Sequence, residues 1–599
     1  MTDPILDTSW RASSQPLIPV KLSNETVNRI TYNHLPVHKL GGGKIFEGYD
    51  SLVEWIIAQK TVIIDGYAGV FFDAIQQQID SRLSDKGISL KWHCTADYLK
   101  AEEEVELLVE PYLGTKESVW GTKADLKLSD FFSKQLVAIQ QDPDCQINIV
   151  IGLGASLSGW DAPIVYFDIP KNEIQYRMRA GSVNNIGSSE AQAATSLYKR
   201  FYFVDWVVAD LHRKEILSNI EIVADGQWQQ NVTWMFKEYL EAGLAEMART
   251  VFRVRPWFEK GSWGGQWMKE HVKGLNNEEV NYAWSFELIT PENGLILESD
   301  NFLLEVSFDF LMLLQYKAII GKHATLFGPY FPIRFDFLDT FNGGNLSIQC
   351  HPSREYISNN FGEHITQDET YYILDSKPGS KVYLGFQEDI DPKEFRKVLE
   401  ASEANNEKIE LERFVQAFPS NKHDLFLIPN GTVHSSGVNN MVLEISATPY
   451  IFTFKMYDWL SLDLNGNPRP INIDHAFNNL NFERKGDVVT SELIAHPNIL
   501  AKGEDWELIH LPTHQEHFYD VHRIEFQTNI EVDTEDSCQV LMLVEGDYIE
   551  LEIEGKFSGT FAYAETFVIP AAAKHYKLIN GGDKIAKVIK AFIKEETKL

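Results

Sequence analysis

Four residues in the second half of the chain have the types and the spacing to hold a metal ion. Gln349 and His351 stand two apart in Leu346-Ser347-Ile348-Gln349-Cys350-His351-Pro352, so on a β-strand both side chains point to one face. Glu369 opens a second strand-like run, Glu369-Thr370-Tyr371-Tyr372-Ile373-Leu374, and His434 closes Pro429-Asn430-Gly431-Thr432-Val433-His434. Any one of these residues alone reads as a satisfied polar group of a strand. Two imidazoles, a carboxylate and an amide oxygen on neighbouring strands form a mixed nitrogen and oxygen set. That set suits Zn²⁺, one ion per chain, with a position left for water or substrate.

The elements that must position this set are short strands. From about Trp257 to the end the pattern is strands and turns, as in sandwiches and barrels. One charged, alanine-containing stretch, Asp391–Phe418, reads as a helical insert between Glu369 and His434. A second barrel is expected near the C-terminus, with strands at Val540–Val544, Asp547–Ile553, Thr566–Ile569 and Ile585–Phe592. His510, His514, His517 and His522 fit no single helical face and read as solvated or core histidines. Glu102-Glu103-Glu104 reads as a solvated helix face.

The first 250 residues have a different rhythm. Residues 1–45 form an extended lead-in with some strand. A helix over Tyr49–Ala58 runs into the β-branched strand Thr61–Gly66, and helical spacing follows over Val70–Leu83. Further strands are expected at Ile147–Gly152 and Ile164–Ile169, and helices over Leu126–Gln140 and Glu190–Tyr198. Alternating elements of this kind predict a parallel sheet covered on both faces. Gln227–Arg253 reads as a helical connector with Trp234, Tyr239, Leu240, Leu244 and Met247 turned inward. The segment from Ile63 to about Leu217 resembles nucleoside kinase-like P-loop proteins in Ile64-Asp65-Gly66, in Tyr166-Phe167-Asp168-Ile169-Pro170 followed by Arg177, Arg179 and Gly181, and in Tyr198-Lys199-Arg200-Phe201-Tyr202. A working P-loop needs a Lys for the outer phosphates and a Ser/Thr for Mg²⁺. Gly66-Tyr67-Ala68-Gly69-Val70-Phe71-Phe72 has neither, which makes the domain non-catalytic.

From about Val254 onward the chain resembles the class I (type I) mannose-6-phosphate isomerases of the cupin superfamily. The carrying motifs are Trp263-Gly264-Gly265, the Gln349/His351 segment, Glu369–Leu374, Gly379–Phe386, Pro429–His434, Leu443-Glu444-Ile445 and Tyr457-Asp458-Trp459, in family order. The resemblance implies metal ligation by Gln349, His351, Glu369 and His434. It implies interconversion of mannose 6-phosphate and fructose 6-phosphate through a cis-enediolate. Glu444 and Lys455 would be catalytic, and Ser347, Trp263 and Arg469 would bind substrate. Two positions depart from the pattern. Lys455 stands where an arginine is usual, which keeps the charge and loses the bidentate fork. Gln367 stands where a lysine is usual, just before the ligand carboxylate.

The expected architecture is therefore multidomain. An α/β kinase-like domain spans 1–250, a cupin jelly roll spans 251–390 and 421–500, a helical insert spans 391–420, and a second jelly roll spans 501–599. The formal charge of −32 argues against nucleic acid and anionic membrane as partners. Cys94, Cys145, Cys350 and Cys538 form no CxxC pair, the N-terminal stretch has no secretory pattern, and no apolar run reaches bilayer length. A cytoplasmic protein acting on a small sugar phosphate is expected, its oligomeric state left open. Two alternatives are a metal-containing sugar sensor without turnover and a bifunctional kinase–isomerase.

Overall fold

The computed structural model describes residues 9–598 apart from 24–30, 116–117, 191, 291, 448 and 450–451. The chain divides into two units that interleave in sequence. One comprises Met1–Thr26, Leu35–Glu246 and Pro291–Leu314, the other Val27–His34, Met247–Thr290 and Gln315–Leu599.

The first unit is built on a seven-stranded sheet. Its order is Phe46–Glu47, Thr233–Phe236, Ile220–Asp225, Ile164–Asp168, Thr61–Gly66, Ile147–Ile151, Leu90–Cys94. The last five are parallel. Ile147–Ile151 and Ile164–Asp168 are buried along their whole length, as strands covered on both faces must be. Helices Gly48–Gln59, Phe72–Asp85, Lys171–Ala180, Ala194–Arg200 and Trp206–Ile216 accompany the sheet. The expected parallel α/β sheet is thus present.

Two expected helices are not formed as predicted. Leu126–Gln140 holds only the short turns Leu128–Phe131 and Leu136–Ala138. Phe132 is drawn into an extended bridge with Leu99, and the flanking backbone bonds run across to Tyr98 and Lys100 instead of along a helix. In the connector, β-branched and aromatic Thr233–Phe236 joins the sheet as an antiparallel strand, and the helix is confined to Lys237–Met247. A hairpin, Gly294–Ser299 and Phe302–Ser307, pairs with Val37–Lys39 and belongs to this first unit.

The second unit contains two antiparallel β-sandwiches. In the first, a six-stranded sheet runs Leu425–Ile428, Glu369–Ser376, Asn440–Ala447, Ile333–Asp339, Trp284–Leu288, Trp257–Glu259. It packs on a five-stranded sheet, Val415–Pro419, Lys381–Phe386, His434–Ser436, Ile348–Cys350, Phe454–Tyr457. Leu338, Tyr371, Ile373 and Val442 of one sheet share an apolar cluster with Val382 and Leu384 of the other. The helix Pro392–Asn405 starts with proline in its first turn and with Asp391 capping the N–H groups of Lys393 and Glu394. The second sandwich pairs a six-stranded sheet, which includes Trp506–Leu511, Tyr519–Phe526, Gln539–Glu545 and Ala586–Ile593, with a four-stranded one. Its strands begin and end within two residues of the expected ones.

Candidate metal centre

Alternation along the strands sets which side chains face the interior of the first sandwich. On the five-stranded sheet Leu384, His434, Gln349 and Lys455 are successive cross-strand partners, so they form one row on one face. Leu384 belongs to the core cluster, which makes that face the inner one. On the six-stranded sheet Tyr371, Glu444 and Asp336 form a row, and Glu369, Ser446 and Arg334 form the next. Leu338, two residues from Asp336, is in the core, so the interior changes from apolar to polar at this end of the sandwich.

His351, just past its strand, completes the constellation. His434 Nε2 lies 2.8 Å from Glu369 Oε1 and His351 Nε2 lies 3.2 Å from Glu369 Oε2. All three side chains are buried. His351 Nδ1 is 3.0 Å from the Phe452 carbonyl and His434 Nδ1 is 2.9 Å from the Thr432 carbonyl. Each Nδ1 carries the proton it donates, so each Nε2 presents a lone pair to the centre. His351 Nε2 and Glu369 Oε1 are buried and have no hydrogen-bond partner. Three such groups facing one another in a buried space are the arrangement that a bound cation satisfies. The donor set therefore fits a divalent transition metal.

Gln349 stands beside the cluster with its amide nitrogen 3.3 Å from His434 Nε2, while its oxygen accepts from the Ser347 hydroxyl at 2.8 Å. Turning the amide over presents the oxygen to the centre and leaves the nitrogen donating to Ser347. Ser347 thus orients Gln349. The loop before His434 is fixed to the strand of Glu369 by Asp368, whose carboxylate accepts from the backbone and side-chain nitrogens of Asn430 at 2.7 and 2.9 Å.

Beside the cluster lies a second group of charges that the sequence reading did not single out. Arg334 Nη2 donates to Glu444 Oε1, and Arg334 Nε lies 2.9 Å from Ser446 Oγ and 3.3 Å from Asp336 Oδ1. Gln367 Nε2 bridges Glu369 Oε2 (2.7 Å) and Glu444 Oε1 (3.3 Å). Burial, and then repulsion from Asp336 and Glu369, holds the Glu444 carboxyl well above the usual range despite Arg334. Burial raises Asp336 to about 7. One guanidinium is thus shared by two buried carboxyl groups, Glu444 and Asp336. The polar alternation Arg334-Phe335-Asp336-Phe337 was the available signal: charges at period two in a strand share one face. Tyr371 was missed as well; its ring lies 5.8 Å from that of His434.

Lys455 and Arg469 form a basic flank. Asp458 accepts from Arg469 at 3.0 Å, and burial followed by the nearby Arg469 lowers the Lys455 amine to about 8. Trp263 is placed elsewhere, packed edge-on to Trp284 at 4.6 Å inside the apolar cluster that also holds Tyr371.

Residues 48–249 match a family model described as "Domain of unknown function (DUF8485)". A mannose-6-phosphate isomerase of Streptococcus mutans is 24% identical over 235 residues, 38% of this chain and 67% of that protein. The mannose-6-phosphate isomerase ManA of Bacillus subtilis is 24% identical over 219 residues, 37% of this chain and 64% of its own length. The crystal structure of the mannose 6-phosphate isomerase from Bacillus subtilis aligns with 57% of this chain and 99% of its own, at 18% identity and a TM-score of 0.46. The curated homologues of this chain are thus mannose-6-phosphate isomerases, consistent with class I membership of that family.

Proposed function

We propose that the chain is a metal-dependent aldose–ketose isomerase acting on a sugar phosphate, with mannose 6-phosphate and fructose 6-phosphate as the pair to test first. The observation that carries this reading is the convergence of His351 Nε2, His434 Nε2 and Glu369 at the polar end of the sandwich, with each Nδ1 held by a backbone carbonyl. Gln349, His351, Glu369 and His434 would hold one Zn²⁺, whose charge stabilises an oxyanion as it develops on the sugar.

The chain's own groups account for the proton. Isomerisation removes a proton from C2 of the open-chain aldose and returns it to C1, with a cis-enediolate between. That transfer needs a group able to accept and release a proton near neutral pH. Glu444 is the candidate, since burial and its carboxylate neighbours raise it above the usual carboxylate range and Arg334 fixes its orientation. Lys455, in the same row as Gln349 and His434, supplies a cation to the sugar oxygens and Arg469 one to the phosphate.

A second reading, a sugar-binding sensor without turnover, draws on Gln367. Its amide is engaged by Glu369 and Glu444, so no mobile cation stands there. A coupled assay with mannose 6-phosphate, before and after chelation and with Zn²⁺ restored, separates the two. Metal-dependent turnover that is lost in His351→Ala supports the isomerase. A metal-loaded but inactive protein supports the sensor. For the first unit we propose a non-catalytic role, because Phe71 lies 4.0 Å beneath the Arg177 guanidinium, which also takes the Gly69 carbonyl of the same loop.

A further inference from the structure

The second sandwich repeats the design of the first in its core. Trp506–Phe526–Ala586 and Leu508–Ile524–Val588 are cross-strand rows on the face that carries its apolar cluster. One row further along the same face the residues change to His510, His522 and Lys590, and Asp520 stands one row beyond. Inward positions that continue an apolar stripe are thus given to two imidazoles and a carboxylate.

The side chains converge. His510 Nε2 lies 2.9 Å from Asp520 Oδ2, and the two imidazole rings stand edge to face at 5.4 Å. One nitrogen of each imidazole and one oxygen of Asp520 all lie within 4.8 Å of one another. The other Asp520 oxygen is fixed by the Val521 N–H at 3.0 Å and by the Thr513 N–H and hydroxyl, each at 3.3 Å. That is how an outer shell orients a ligand carboxylate. His522 packs against Phe592 at 4.7 Å, and its Nδ1 is buried with no hydrogen-bond partner. A plain His510–Asp520 ion pair leaves that nitrogen unexplained. His514 and His517 lie outside the cluster, and His517 stacks on Tyr519 at 5.2 Å.

We infer that His510, Asp520 and His522 form a second site for a divalent transition-metal ion, separate from the His351–Glu369–His434 centre. Two imidazoles and one carboxylate select Zn²⁺, Co²⁺ or Fe²⁺ over Mg²⁺ or Ca²⁺, and three protein ligands leave a position for water. Lys590, across from His522, places a positive charge beside the ion and weakens its binding.

The test uses the full chain with the first centre emptied by His351→Ala and His434→Ala. The stripped protein is titrated with Co²⁺ while the visible d–d absorption is followed, and Zn²⁺ content is measured after desalting. The expected result is a single bound equivalent. Adding His522→Ala should reduce affinity by more than the ~10–100-fold that loss of an outer-shell partner costs. His510→Gln, at a half-buried position, should give the same loss if His522→Ala fails to fold. Lys590→Met should tighten binding, and His514→Ala should leave it unchanged. Absence of a bound equivalent in the emptied protein, or binding indifferent to both His522→Ala and His510→Gln, overturns the assignment.

Discussion

Arg334 and Glu444 are diagonal neighbours on adjacent antiparallel strands and form a buried ion pair inside the first sandwich. The guanidinium also faces Asp336, so its removal leaves carboxyl groups buried without a counter-ion. Arg334→Met should therefore destabilise the second unit by about 3–5 kcal/mol, the usual cost of breaking one side of a buried pair. Urea unfolding checks this. Arg334→Lys should lose less, because the charge survives while the fork does not. A methionine variant as stable as the parent would refute the role.

Gly431 joins the two segments that carry the histidines. Its N–H donates to the His351 carbonyl at 2.9 Å and its own carbonyl accepts from Asn481 N at 2.9 Å. Its φ is +76°, and a Cβ there would lie 2.5 Å from the Asn479 carbonyl oxygen. Gly431→Ala should cost more than about 1 kcal/mol and weaken metal binding as well. Thermal unfolding with and without Zn²⁺ reads both effects. A loss of stability with unchanged metal affinity would show that the turn supports the fold alone.

Lys455 gives a pH signature. Its amine is lowered to about 8 by burial and by Arg469, so it loses its charge as pH rises through that value. Isomerase activity should fall along an alkaline limb near pH 8. Lys455→Met should flatten the limb and lower kcat by roughly 10²-fold or more. Lys455→Arg should move the limb beyond the accessible range. The pH dependence of kcat in the three proteins decides the matter.

Asp225 makes the stability of the first unit depend on pH. Burial raises it to about 8, against hydrogen bonds from the N–H groups of Glu305 and Gln227 and with the Glu305 carboxylate nearby. A carboxyl raised on folding stabilises the native state fully below its unfolded value of about 4. That contribution is lost as pH rises through about 8. The first unit should therefore become less stable between pH 5 and 8, and Asp225→Asn should remove much of the slope. Denaturant midpoints across about pH 5–8 measure it. An unchanged slope in the variant would place the proton elsewhere.

What the sequence made legible follows its physical signals. His434 could be anticipated because Pro429-Asn430-Gly431 announces a turn before it, and Gln349 and His351 because their spacing of two is the period of a strand. Arg334 and Asp336 were hidden although their alternation is as regular. Charged residues in a strand read first as a solvated face, and only the sandwich shows that the face is internal. Phe132 was lost for a different reason: apolar residues at helical spacing look helical until a partner such as Leu99 claims the backbone. The His510 cluster could not be assembled from spacing, because the pairing of His510 with His522 depends on a register that only the folded sheet supplies.

The hairpin at 294–307 has a consequence for how this chain can be divided. Its last strand supplies Ser307, whose N–H bonds the buried Asp168 at 2.6 Å and whose hydroxyl accepts from Arg213 at 2.7 Å, and Asp309 just beyond pairs with that same arginine at 2.6 Å. A protein cut near residue 250 would strip Asp168 and Arg213 of these partners. Neither a nested gene fragment nor a protease nick there would release a self-sufficient N-terminal half. The two units are spliced into one another, and the shortest heritable piece that contains the first one whole extends past residue 309.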